Sequence, residues 1–525
     1  MTVSAVFDSR RMLSSGIVYL IGAGPGDPGL ITVKGLFCLR RADVVVYDYL
    51  ANPVFLEEAP PDAERIYVGK TRGCHHVPQN QINQLLAEKA GAGKIVARLK
   101  GGDPFLFGRG GEETEFLAAQ GIPFEVIPGI TAGVAAAAYA GIPLTHRDYT
   151  ISLGMITGHQ NAAKGQAGFD WKPLAAGAGT LVFYMGMANL PLIVDRLLAE
   201  GRPTTTPVAV VRWATTSRQE TLVATLADVV GKVEETGIKP PAVIIIGEVV
   251  SLREKLRWFD NRPLFGRKVL VTRSTEQAGP LVELLREAGA EAVICPVIEI
   301  APPASWTPLD EAIQQLDRTD WLILTSANAV NMFFDRLRAF ELDGRALAGV
   351  RVAAVGPKTA RAIEDRGISP DLVPEKEFRA EGIAGLLATE KIAGKRVLYP
   401  RAELARDLLK RELTEAGAEV VDPIAYRTVA PAALDAGIVE SLAAEEIAAV
   451  TFTSPSTVDN LVGLLGPAAI EYLRKPVLVS IGPQTSAALG RHGLPVTVEA
   501  SPSTMEGMLE GLSGCFSEHI QNKPA

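Results

Sequence analysis

Cysteine is scarce. There are four in 525 residues (Cys38, Cys74, Cys295 and Cys515), and no two form a CxxC pair. That excludes a disulfide framework, argues against a metal site and fits a reducing compartment. Aromatic residues make up only 6%, against abundant Ala and Val, which favours α/β layers over an all-β sandwich. No apolar run reaches the ~18–20 residues needed to span a bilayer. The longest, around Ala132–Leu144, is rich in Ala and Gly and contains Pro143. The first fifteen residues hold no apolar core of the signal-peptide kind. The expectation is a cytoplasmic protein with no membrane attachment. Strong charge of either sign is missing too. The net charge of −8 divides into 25 Lys+Arg against 24 Asp+Glu in residues 1–258 (+1), and 27 against 36 in residues 259–525 (−9). Neither half has the bulk charge of a nucleic-acid partner.

What is present is ordinary globular material, 47% hydrophobic and 21% charged. Such a chain buries enough surface to offset its ordering entropy, so general disorder is excluded. At roughly 150 residues per domain, the length allows about three or four domains. Short apolar runs at Ile17–Ile21, Val44–Tyr47, Ile95–Leu99 and Phe124–Ile127 alternate with helical patterns such as Gln79–Ala90, which predicts a largely parallel sheet. A second series follows at Ile151–Thr157, Thr180–Met185, Val208–Val211 and Ala242–Gly247. The stretch Trp258–Gly266, WFDNRPLFG, carries turn chemistry and reads as a linker.

Beyond it lies an internal repeat. Gly266–Arg273 resembles Gly394–Arg401 and Thr325–Val330 resembles Thr453–Val458, both 128 residues apart, while Val355–Ala360 resembles Ile481–Ser486 at 126. The period is far too long for a solenoid. It suggests two copies of one α/β lobe with a cleft between them, where ligands often sit.

Gly22-x-Gly24-x-Gly26 approaches a dinucleotide fingerprint, but the third glycine position is Asp27, and an acid there would repel a pyrophosphate. The remaining glycine-rich segments follow strands, at the edge where parallel sheets bind ligands. GAGPGDPGLIT, LKGGDPFLFGRGGEE, PGITAG, GIPLTHRDY and FYMGM, in this order over residues 16–258, resemble the tetrapyrrole methylases. The resemblance implies two α/β lobes (about 16–145 and 150–258), S-adenosyl-L-methionine as methyl donor, uroporphyrinogen III methylated twice to precorrin-2, no metal, and a homodimer. It places the cofactor against Pro25, Gly101, Gly102, Asp103, Leu106, Thr131, Ala132, Met185, Ala214 and Ala242, with Asp103 accepting from its polar groups. It makes Asp48 a proton acceptor and Lys70 a proton donor. Read from the residues alone, Asp48 is equally a cap or turn acid, and Lys70 a surface charge or carboxylate clamp. Arg109, Arg147 and His146 are further candidates for substrate carboxylates.

In the second half no nucleophile–base pair stands out, and its only histidines are His492 and His519. What recurs is Ser or Thr beside Gly or Pro at strand ends: Ser326, Thr359, Ser454 and Thr485. Such hydroxyls bind carboxylates at helix N-termini, or simply cap the helices. The segments VLVTR, TSANAV, AVGPKTARAI, DPIAYRTV, TFTSPSTV and SIGPQTSAALGRHG, together with the repeat, resemble the uroporphyrinogen-III synthases over residues 267–515. This implies a second two-lobed α/β unit, lobe one about 267–298 plus 430–515 and lobe two about 299–429. Paired strands would join them, and residues 1–15 and 516–525 would be tails. It implies cyclisation of hydroxymethylbilane with inversion of ring D. Tyr426 would act as the acid near the leaving hydroxyl, and Ser326, Thr359, Ser454 and Thr485 would line the substrate cleft. Packing near a hinge is the plain alternative for Tyr426, and a non-catalytic tetrapyrrole-binding module for this half as a whole.

Overall fold

The computed structural model describes residues 16–69, 77–158, 170–374, 380–405 and 407–521. They form two compact units. The first takes the described residues of Met1–Lys268, Leu284–Glu291 and Phe516–Ala525, the second Val269–Glu283 and Ala292–Cys515.

The first unit contains two five-stranded sheets. In one, β1 (Ile17–Gly22), β2 (Val44–Tyr47), β3 (Glu64–Tyr67), β4 (Ile95–Lys100) and β5 (Phe124–Ile127) lie in the order β3-β2-β4-β1-β5. All four pairings are parallel. Val18, Leu20, Ile21, Val44, Val45, Val46, Val96, Ala97 and Leu99 are all buried. Continuous apolar runs of this kind suit strands covered on both faces. All five C-terminal ends emerge on one edge.

The second sheet departs from the expected parallel series. It holds β6 (Leu153–Thr157), β7 (Thr180–Tyr184), β8 (Pro207–Arg212), β9 (Glu220–Thr225) and β10 (Ala242–Ile246) in the order β6-β7-β10-β8-β9. Only β6 and β7 pair in parallel; β10 runs antiparallel to β7 and β8, and β8 to β9. The cause is loop length. Trp213–Gln219 is far shorter than the dozen or more residues a parallel crossover needs, so β8 and β9 close as a hairpin. The reversal of β10 sets its first residue, Ala242, opposite Arg212 at the end of β8. The segment read as a linker is packed rather than free. Phe259 and Leu264 are buried, and the rings of Trp258 and Phe259 lie 5.1 and 4.7 Å from that of Tyr139. Its apolar residues outweigh its turn chemistry.

The second unit holds β11 (Lys268–Val271), β12 (Glu291–Ile294), β13 (Glu299–Ala301), β14 (Trp321–Leu324), β15 (Arg351–Ala354), β16 (Arg396–Leu398), β17 (Arg401–Ala402), β18 (Glu419–Val421), β19 (Ile424–Val429), β20 (Ile447–Phe452), β21 (Val477–Ser480) and β22 (Val498–Glu499). Its sheets are β12-β11-β20-β21-β22, β15-β14-β16-β18 and the small β13-β19-β17. The repeat explains this layout. Shifts of 128 residues carry β11, β12 and β14 onto β16, β18 and β20, and 126 carries β15 onto β21. Replacing each strand by its mate turns β12-β11-β20-β21 into β18-β16-β14-β15, the order of the other sheet. Each sheet therefore takes half its repeated strands from one copy and half from the other. The two copies of the repeat have thus exchanged halves. The exchange runs through β13 and β19, which pair antiparallel with Ile300 opposite Thr428. Those residues are themselves 128 apart, so a pseudo-two-fold axis passes between them.

Candidate active sites

In the first unit the loops after β1, β2, β4 and β5 meet the ends of β7 and β8 and the start of β10. Five non-glycine residues there have left-handed φ: Phe107 (55°), Arg109 (59°), Met185 (52°), Trp213 (47°) and Thr215 (69°). Such conformations are costly and gather where the surroundings hold a site in shape. The Tyr184 hydroxyl reaches from the second sheet to the first. It accepts from Gly133 N at 2.9 Å and lies 2.9 Å from Thr131 Oγ1, at the N-terminus of the helix Ala132–Tyr139. Burial pushes this phenol's pKa up, so it stays protonated. The Phe107 ring sits 5.0 Å from that of Tyr184, and the Tyr49 ring 6.0 Å from that of Trp213.

The ten expected cofactor residues lie along these two edges. Gly102, with φ +69°, has Ala132 N and Thr131 Cα 3.6 and 3.8 Å from where a Cβ would be. Pro25 precedes Gly26, whose absent Cβ would meet Thr216, Thr215 and Ala214. Asp27 N donates to Thr215 Oγ1 at 2.9 Å, tying this turn to the second sheet. Met185 follows Tyr184 and is exposed, while Ala242 begins β10 beside them. Leu106 and Ala132 pack on one cluster with Ala214. The Asp103 carboxylate accepts from three backbone N–H groups, Phe105 (2.8 Å), Leu106 (3.1 Å) and Gly129 (3.0 Å). It braces the loops after β4 and β5, and so shapes the path of Gly101 and Gly102. The acid that spoiled the dinucleotide fingerprint is structural as well, since Asp27 accepts from Gly29 N and from the Tyr139 hydroxyl.

Asp48 follows β2. Its Oδ1 accepts from Leu50 N at 3.1 Å and its Oδ2 from Arg98 Nη2 at 3.2 Å. Behind it lies a buried charge cluster that the sequence did not announce. Glu113 Oε1 accepts from Arg98 Nε (3.3 Å), Lys100 Nζ (2.9 Å) and Gln79 Nε2 (3.0 Å). Glu113 is fully buried and Arg98 and Lys100 nearly so. Burial, and then the neighbouring Arg98, lower the pKa of Lys100, and Glu113 opposes them. The signal lay in strand β4, whose apolar run is interrupted by Arg98 and Lys100. Arg109 sits at the head of the helix Gly110–Ala119, exposed and paired with Glu112 at 2.6 Å. His146 and Arg147 lie in the turn between the two sheets, where His146 Nδ1 accepts from Asp148 N. Lys70 lies outside the described residues.

In the second unit the four expected hydroxyls all stand at helix N-termini after strand ends. Ser326 and Ser454 are N-caps, accepting from Ala329 N (3.0 Å) and Thr457 N (3.4 Å). Thr359 and Thr485 are buried in the first turns of the helices Pro357–Glu364 and Pro483–Arg491. Capping is thus a role the two serines do play. Ser326 does more: its Oγ lies 3.0 Å from the hydroxyl of Tyr426, which is itself buried. A second phenol escaped the sequence reading. Tyr399, raised in pKa by burial, is hydrogen-bonded to Thr325. Thr325–Ser326 therefore holds two tyrosine hydroxyls, whereas the repeat mates of Tyr399 and Tyr426 are Val271 and Ile298. Neither of these two phenols has a counterpart at its repeat-related position.

Comparison with known proteins gives two family matches. Residues 17–230 match the tetrapyrrole (corrin/porphyrin) methylases. Residues 279–510 match the uroporphyrinogen-III synthase HemD family. The porphyrin biosynthesis protein HemD of Ruminiclostridium josui is 40% identical over 500 residues, 95% of this chain and 98% of that protein. The uroporphyrinogen-III C-methyltransferase of Bacillus subtilis (strain 168) is 42% identical over 374 residues, 70% of this chain and 75% of the relative. Among solved structures, a uroporphyrin-III C-methyl transferase from Thermus thermophilus, complexed with S-adenyl homocysteine, is 42% identical. It covers 45% of this chain and 100% of its own, with a TM-score of 0.39.

Proposed function

From a chain that belongs to the tetrapyrrole methylases in its first half and to the uroporphyrinogen-III synthases in its second, we infer a bifunctional enzyme of tetrapyrrole biosynthesis. The second unit cyclises hydroxymethylbilane to uroporphyrinogen III with inversion of ring D. The first methylates that product at C2 and C7 to give precorrin-2, toward sirohaem or cobalamin. One observation carries this reading: two families whose reactions are consecutive occupy successive stretches of one chain, residues 17–230 and 279–510. The boundaries that follow are 16–258 for the methyltransferase and 267–515 for the synthase.

S-adenosyl-L-methionine suits the first site. Gly102 leaves open space before the N–H of Ala132 at a helix N-terminus, a backbone cradle that any larger residue would narrow. When bound, the donor supplies an electrophilic methyl on a sulfonium. The chain's part is to align it with an electron-rich pyrrole carbon. Pro25, Gly101, Gly102, Thr131, Ala132, Ala214 and Ala242 offer backbone, Leu106 and Met185 offer apolar surface, and Asp103 sets the loop geometry. Asp48, partly exposed and held by Arg98, accepts the proton that the ring must lose, and Lys70 is the donor. Arg109 is placed to meet a substrate carboxylate by exchanging its pairing with Glu112. In the synthase, the Tyr426 hydroxyl, oriented by Ser326, protonates the departing hydroxyl, while Thr359, Ser454 and Thr485 border the substrate. Exposed Tyr149, Ile151 and Leu153 run into the edge strand β6 and offer apolar surface for a homodimer. The setting is the cytoplasm.

The two half-reactions test the assignment separately. Supplied uroporphyrinogen III and methyl-labelled donor should give two label equivalents per macrocycle. Hydroxymethylbilane without donor should give the type III isomer. Absence of label incorporation overturns the first assignment, and type I product alone overturns the second.

A further inference from the structure

A polycarboxylate substrate needs cations, and the half of the chain that would cyclise it carries −9. The repeat singles out a cation for that role. Arg273 follows β11 and its mate Arg401 follows β16, 128 residues on, each at the C-terminal end of an interior strand of its sheet. The two guanidiniums are treated differently. Arg401 Nε pairs with Asp422 at 2.9 Å, and its Nη2 lies 3.8 Å from Asp407. The positions corresponding to those acids near Arg273 are Ile294 and Gly279. Arg273 instead touches Gln277 Oε1 at 3.3 Å and Met505 Sδ at 3.9 Å, weak partners for a half-buried charge. Burial lowers its pKa, and among the described side chains no carboxylate pairs with it.

A desolvated guanidinium without a counter-ion is expensive to keep. It stands on the sheet edge where the neighbouring strand β20 ends at Phe452 and Ser454 caps the helix that follows. We propose that Arg273 binds a carboxylate of the open-chain tetrapyrrole, and that the exchanged repeat has specialised: one arginine anchors substrate while the other is locked into the fold by Asp422. This rests on the synthase reading. The substrate's acetate or propionate arm would supply the charge-assisted bonds that Ile294 and Gly279 cannot, so Arg273 acts in binding rather than in proton transfer.

The test uses the full-length chain with hydroxymethylbilane. Arg273→Met should raise KM about tenfold to hundredfold, the worth of a charged hydrogen bond, with a smaller change in kcat. Arg273→Lys should recover part of that loss. The melting temperature should not fall, since a half-buried charge with only weak partners has been removed, and methylation of supplied uroporphyrinogen III should be unchanged. Arg401→Met should do the reverse, lowering the melting temperature and leaving KM within about twofold. Ile294→Asp gives Arg273 the partner that Asp422 gives Arg401, and should raise KM with the arginine still present. If Arg273→Met keeps the wild-type KM, or lowers stability with no change in KM, the proposal is overturned while the synthase reading stands. If the wild-type chain forms no type III isomer, the synthase reading itself falls and the proposal with it.

Discussion

Adding one methyl group at Gly102 separates the methyltransferase site from its scaffold. The backbone there has φ +69°, so alanine pays about 1–2 kcal/mol for a left-handed conformation. Its Cβ meets nothing closer than Ala132 N at 3.6 Å, so no clash adds to that figure. Against a typical stability of about 5–15 kcal/mol, Gly102→Ala should remain folded. The methyl nonetheless occupies the space before the Ala132 N–H. Losing one hydrogen bond to the cofactor, at about 1–3 kcal/mol, weakens its binding roughly tenfold to hundredfold. Gly129→Ala is the contrast: its Cβ would lie 2.3 Å from the Gly102 carbonyl oxygen, within the backbone itself. That variant should lose stability before it loses affinity. Calorimetric titration with S-adenosyl-homocysteine, alongside urea denaturation, reads both quantities. A Gly102→Ala protein with unchanged affinity would refute the placement of the cofactor.

Other consequences follow from the same geometry. Glu113→Gln leaves Arg98 and Lys100 buried with less than their counter-charge, so unfolding in urea should show a loss of about 3–5 kcal/mol; an effect under 1 kcal/mol would mean the cluster is solvated. Tyr426→Phe should slow cyclisation of hydroxymethylbilane about tenfold to hundredfold, leaving methylation of uroporphyrinogen III intact; a fall in methylation instead would break the division of labour between the units. Burial raises the thiol pKa of Cys38 to about 11 and of Cys295 to about 12. At pH 8, below both, the thiolate fraction is about a hundredfold or more under that of an ordinary thiol, so iodoacetamide should label these two only after unfolding. Rapid labelling of the native protein at either position would contradict their burial.

Much of this was legible in the sequence, for identifiable reasons. Four strands of the first sheet announced themselves through short, largely apolar runs, because strands covered on both faces are mostly apolar; the edge strand β3, Glu-Arg-Ile-Tyr, did not. The direction of β10 and the existence of β9 were not legible, since periodicity marks a strand but not its orientation. The repeat was plain at offsets of 126 and 128, yet the collinear matches by themselves do not reveal that its halves have exchanged; the strand orders of the two sheets do. The glycines proposed to cradle the cofactor were visible because close approach demands glycine. Tyr184, Trp213 and Tyr399 were not, as an aromatic near a strand end reads as packing until its hydroxyl or ring finds a partner across the fold. Arg98 and Lys100 could have been noticed as charges within an apolar strand. Arg273 could not, because it is the fold that brings Asp407 and Asp422 onto Arg401 and so shows what Arg273 lacks.

The most direct test supplies the purified chain with hydroxymethylbilane and S-adenosyl-L-methionine, with no other enzyme present, and identifies the macrocycle formed. Two consecutive activities in one polypeptide predict dimethylated type III product, precorrin-2. Type I macrocycle alone, the product of spontaneous closure, would contradict the account.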